Sequence, residues 1–124
     1  MAGMKLDAAG ASKMATIDQA LTTLQRVHGM VERWALELKN KNRNSSSNAN
    51  GIKRTLTPLQ GQLKAQFGLI ADQVSAMILS MGRGGGEQTK IRALREYVAQ
   101  LRTALEINAA KVKTQHSVEI EISD

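Results

Sequence analysis

Residues 57–81 read Thr57-Pro58-Leu59-Gln60-Gly61-Gln62-Leu63-Lys64-Ala65-Gln66-Phe67-Gly68-Leu69-Ile70-Ala71-Asp72-Gln73-Val74-Ser75-Ala76-Met77-Ile78-Leu79-Ser80-Met81. Leu59, Leu63, Phe67, Ile70, Val74, Met77 and Met81 step by three and four, the spacing that lines one face of a helix. Thr57 at the cap, Pro58 in the first helical position and Gln60 at the third form a start signal, because that proline gives up no needed hydrogen bond. Gly82 follows as a left-handed cap. The run is expected to form one continuous helix over 57–81.

The same period appears on either side. Ile17, Ala20, Leu24, Val27, Val31, Trp34 and Leu38 define a helix over about 16–39, opened by Thr16 and Gln19 as a capping box. Ile91, Leu94, Val98, Leu101, Leu105, Ala109 and Val112 define another over about 87–114. Strand alternation fits none of the three windows. Helices of matched length, each roughly 40 Å long at 1.5 Å per residue, bury their single stripes on one another. The expectation is all-α: an antiparallel three-helix, up-down-up bundle over 13–114.

The remaining segments are read as follows. Residues 1–12 are a flexible N-terminal segment, and the Asn/Ser-rich stretch 40–56 is a flexible linker. Residues 115–124 form an acidic extended tail, in which Val118-Glu119-Ile120-Glu121-Ile122 alternates as a strand does. A lone strand has no partner in a helical bundle, so the tail is either loose or adds to a sheet edge in another protein.

Composition removes several function classes. The chain has 124 residues, a formal charge of +6 and no cysteine, and its aromatic residues are Trp34, Phe67 and Tyr97. Without cysteine there is no disulfide framework, thiolate nucleophile or Cys-built zinc site. Three aromatic rings do not make a base-stacking platform of the RNA-recognition or OB-fold type. His28 and Glu32 share a helix face, but two ligands do not hold a metal. In Gly82-Arg83-Gly84-Gly85-Gly86-Glu87-Gln88-Thr89-Lys90 the Lys follows the Thr, and a helix precedes the loop, so it is no phosphate loop of the P-loop kind. Those glycines at a helix start can still present N–H groups to an anion beside Arg83. No catalytic constellation, metal or cofactor is expected. No targeting or membrane-spanning run is visible, which gives a cytoplasmic expectation.

Charge is uneven along the chain. Residues 41–64 hold Lys41, Arg43, Lys53, Arg54 and Lys64 and no acid, and the third helix adds Lys90, Arg92 and Arg95 after Arg83. Arg92–Glu96 and Arg102–Glu106 have the spacing of surface pairs, whereas Arg83, Lys90 and Arg95 have no such partner. In a three-helix bundle the acidic tail lies at the same end as the basic linker and can neutralise it. The alternative is a nucleic-acid backbone gripped by Lys41, Arg43, Lys53, Arg54, Arg83, Lys90, Arg92 and Arg95. The half of the second helix from Phe67 to Met81 is apolar over most of its circumference, so Leu69, Met77, Ile78, Leu79 and Met81 are the expected protein interface or self-association face.

The resulting expectation is a non-enzymatic small helical subunit of a larger assembly, contacting RNA or DNA backbone. In size, basicity and scarcity of aromatic rings it is similar in class to the small helical subunits of CRISPR ribonucleoprotein effectors, a likeness that no motif narrows to a family. The competing expectation is a protein–protein adaptor, chaperone or coiled-coil module that binds no nucleic acid.

Overall fold

The computed structural model describes residues 2–40 and 45–121. Among them are four helices: α1 (Ala8–Lys39), α2 (Ser45–Lys64), α3 (Gly68–Ser80) and α4 (Glu87–Gln115). The all-α class holds, but the three-helix bundle is corrected to four.

Two features produce the extra helix. Most of the stretch read as a linker is the first half of α2. Ile52, Leu56, Leu59 and Leu63 step by four, three and four, and all are buried. Apolar burial at those positions outweighs the poor helix propensity of the Asn and Ser residues around them. Pro58 therefore lies inside α2 instead of at its start, on the exposed side of the helix. The second feature is a reversal at 65–67. Phe67 leaves helical geometry at φ −137° and ψ 62°, although its N–H still donates to the Leu63 carbonyl at 2.7 Å. Its own carbonyl accepts from Ala71 N–H at 2.9 Å, starting the next helix. Leu59 through Met81 is thus a hairpin of two helices packed on each other.

Side-chain bonds fix the directions. α2 runs antiparallel to α1, with Asn48 donating to Glu37 at 2.6 Å near one end and Thr16 donating to Gln66 at 2.8 Å near the other. α4 also runs antiparallel to α1: Arg95 reaches Glu32, Arg102 reaches Gln25 at 3.0 Å, and Lys13 meets His116 at 3.1 Å. Each helix packs on two neighbours, α1 and α3 each lying between α2 and α4. The result is an up-down-up-down bundle.

Nearly all the core positions expected from the period are buried. Ile17 to Trp34 on α1, all seven seam residues from Leu59 to Met81, and Ile91, Leu94, Val98, Leu101, Leu105 and Val112 on α4 form one cluster. Leu38 and Ala109 are half-buried beside it. Trp34 is 2% exposed, and its indole N–H has no acceptor among the described residues.

The chain ends are tied together. α1 starts at Ala8, capped by Asp7, whose carboxylate accepts the Gly10 N–H at 2.7 Å, so Thr16 is not the cap. Asp7 N–H donates to the His116 carbonyl at 2.9 Å. Beyond this point β1 (Ala2–Leu6) pairs antiparallel with β2 (Ser117–Glu121), Leu6 opposite Ser117 and Ala2 opposite Glu121. The N-terminal segment, expected to be flexible, instead supplies a strand partner for the tail. β2 and the first turns of α2 stand at opposite ends of the bundle, and Lys41 and Arg43 of the expected neutralising contact lie outside the described residues. Gly82 is not a left-handed cap: α3 closes through Met81 in right-handed geometry, and among the described residues the glycine with positive φ is Gly85, at 127°.

Candidate nucleic-acid interface

α3 has 13 residues and α4 has 29, and this mismatch shapes the surface. α3 stops at Ser80, and the turn from Met81 to Gly86 must carry the chain up to the start of α4. Gly82 and Arg83 N–H groups donate back to Leu79 and Ser80 carbonyls at 3.0 and 3.4 Å. Gly85 then adopts a backbone conformation that side chains disfavour. The N-terminal turns of α4 are left flanked by two shallow grooves.

The groove on the α3 side encloses about 360 Å³ and is lined by Ser80, Arg83, Thr89, Lys90, Glu96 and Tyr97, among others. The groove on the α1 side encloses about 410 Å³ and is lined by Leu38, Lys39, Gln88, Ile91, Arg92 and Arg95. Cations named from the sequence thus converge here from two elements: Arg83 from the turn, and Lys90, Arg92 and Arg95 from α4. Lys39, at the last turn of α1, joins them and was not singled out from the sequence. Its position becomes informative only when α4 is known to start beside the end of α1.

Arg95 differs from the others. Its Nε and Nη2 donate to the two Glu32 oxygens at 2.7 and 2.8 Å, a bidentate pair between half-exposed side chains. These bonds hold the Glu32 carboxyl below its ordinary range and raise the Arg95 guanidinium further. Arg95 is therefore committed within the chain. The i,i+4 pairs expected on this helix do not form: Arg102 bonds Gln25, and the ion pairs among the described residues are Arg33–Glu37, Arg95–Glu32 and His116–Asp7. Arg83, Lys90, Arg92 and Lys39 have no carboxylate within ion-pair distance among the described residues.

The other named cations lie elsewhere. Lys53 and Arg54 share a shallow depression on α2 with Asn50, Thr57 and Pro58, and α2 is not a neighbour of α4 in the bundle. Lys41 and Arg43 fall outside the described residues. The protein-interface residues divide too. Leu69 and Leu79 are 83% and 65% exposed on the outer face of α3, and Ile78 is half-buried. Met77 and Met81 belong to the core, because they continue the inward stripe of Ile70 and Val74 at spacings of three and four. They take no part in an outward face.

At the far end, His116 Nδ1 lies 3.2 Å from Asp7 Oδ1 and its Nε2 lies 3.1 Å from Lys13 Nζ. An imidazole with its proton on Nδ1 satisfies both contacts, donating to Asp7 and accepting from Lys13. Asp7 is held below its ordinary value first by the Gly10 N–H, against the opposing effect of desolvation, with His116 and then Lys13 adding smaller downward contributions. This clasp binds α1 to α4 and is used up in doing so. Among the described residues no three His, Cys, Asp or Glu side chains cluster as metal ligands, and no polar or charged side chain is buried. No helix there is long and apolar enough to cross a membrane. No known protein family, curated protein or solved structure matches the chain.

Proposed function

We propose that the protein is a non-enzymatic helical subunit of a larger assembly that contacts a nucleic-acid backbone through the N-terminal end of α4. The observation that carries this reading is the gathering of Lys39, Arg83, Lys90 and Arg92 around that end, none of them ion-paired among the described residues. Unpaired cations on shallow grooves suit a polyanion passing over the surface better than a small substrate that must be enclosed. Four phosphate contacts give a duplex affinity that falls with salt at a log–log slope of about −3.6.

The test is retention of labelled oligonucleotides across a salt series. The combined variant Arg83→Gln, Lys90→Gln and Arg92→Gln should flatten the slope by about 2.7 with helicity unchanged. Absence of binding at low salt, or a slope the variant leaves as it was, refutes the reading.

The exposed Leu69 and Leu79 favour a second role, docking of α3 on a neighbouring protein. α3 carries a single charged residue, Asp72, which is unusual for a solvent-facing helix. Leu79→Lys should leave stability within about 0.5 kcal/mol while abolishing association seen by sedimentation; Ile78→Lys would confound this by disturbing the core. If Leu79→Lys associates as the parent does, α3 has no such role.

A further inference from the structure

We infer that the groove between α3 and α4 seats one nucleotide of a single strand, with its base against Tyr97 and its phosphate on Arg83 and Lys90. This rests on the nucleic-acid reading above and adds which form of nucleic acid is bound. Of the chain's three aromatic rings, Trp34 and Phe67 are buried at 2% and 8% exposure. Tyr97 is the one that reaches the surface, half-buried with one side packed on the core. It does so inside the groove that holds Arg83 and Lys90.

The order of groups along the groove matches a nucleotide. Arg83, Thr89 and Lys90 form a cationic, hydroxyl-bearing end. Glu96, Tyr97 and Gln100 form the other end. From Lys90 to Tyr97 is two helical turns, about 10 Å along α4, comparable to the reach from a phosphate to the far side of its base. Glu96 would repel a phosphate at its own end and accept a hydrogen bond from a base amino group there, which fixes the orientation. The volume of about 360 Å³ lies within the range of small-ligand sites. A duplex cannot use Tyr97, because its bases are stacked and paired, whereas an unpaired strand offers a free π-face. One ring seats one base, so this is a single seat and not a platform.

The experiment measures fluorescence anisotropy with single-stranded DNA, single-stranded RNA and duplex of equal length at low salt. The expected result is tighter binding of single strands than of duplex. Tyr97→Leu, which keeps apolar packing on the core, should weaken single-strand binding about tenfold, within the range of one lost stack, and leave duplex binding and the salt slope unchanged. Tyr97→Phe should restore it. Preference for DNA or for RNA, or equal affinity for both, supports the seat equally. Equal binding of single strands and duplex, or no effect of Tyr97→Leu, overturns the inference while leaving the backbone contact standing. Failure to bind any of the three probes overturns both.

Discussion

Gly10 of α1 sits directly against His116, the residue that caps the C-terminal end of α4, and replacing it with alanine isolates that approach. A Cβ built on Gly10 would lie 2.5 Å from His116 Cβ and 3.2 Å from both His116 Cγ and Asp7 Oδ1. Carbon atoms in good contact stay about 3.5–4.0 Å apart, so the helices would have to separate by about 1 Å or break the clasp. Overpacking of this kind costs about 1–3 kcal/mol. Alanine recovers at most about 0.5–1 kcal/mol of helix propensity. The net expectation is a loss of about 0.5–2 kcal/mol, or a Tm lower by about 2–8 °C for a chain of this size. Gly29 provides the control: it is exposed on the same helix and a Cβ there meets nothing within 4 Å. Gly29→Ala should therefore stabilise by about 0.5–1 kcal/mol. Urea and thermal unfolding followed by far-UV circular dichroism read both variants. If Gly10→Ala equals or exceeds the parent in stability, α1 and α4 do not meet at His116 as described.

Two further outcomes follow from the same geometry. Asp7 and Glu32 have folded-state pKa values below their ordinary 3.8 and 4.5. The unfolded chain then binds more protons in that window, so stability is fully present above the ordinary values and is lost as pH falls through the folded ones. Tm should hold between about pH 7 and 5 and drop below about pH 4; Asp7→Asn, which keeps the cap oxygen, should flatten part of the drop, and an unchanged profile would refute its contribution. Trp34→Phe removes a buried N–H that has no acceptor among the described residues and should cost about 1 kcal/mol or less, whereas Leu63→Ala should cost about 2–5 kcal/mol. A larger loss at Trp34 by chemical denaturation contradicts that account of its indole.

Periodicity proved a reliable guide to burial and a poor guide to axis direction. Every seam residue from Leu59 to Met81 is in the core, yet the chain reverses in their midst, because Phe67 fills the core from within the turn. Spacing of three and four states which side faces inward; it does not state that the helix continues. Gln66-Phe67-Gly68 held the available hint, a glycine directly after a seam position. Ile52 and Leu56 were equally legible as an extension of Leu59 and Leu63, but the Asn and Ser around them argued for a linker on composition. The reversal at Phe67, by contrast, is what inverts the direction of α4 relative to a three-helix bundle, and with it the end at which β2 lies. At the candidate interface, the cationic character of Arg83, Lys90 and Arg92 could be read from residue types alone. The engagement of Arg95 could not, because Glu32 lies 63 residues away in the chain. Tyr97 does carry a local signal in the sequence: it follows Lys90 by seven residues and so shares its face of α4.

The clasp between Asp7 and His116 closes a loop of 109 residues, nearly the whole described chain. Such closure has a large entropic barrier unless intervening structure first brings the ends near. Loop-closure entropy therefore predicts that the hairpins of adjacent helices, which need only local contacts, form first and the terminal ribbon and clasp after them. Interactions completed that late leave the refolding rate almost untouched and act on the escape rate from the native basin. Loosening the latch therefore shortens the lifetime of the folded molecule more than it slows its formation.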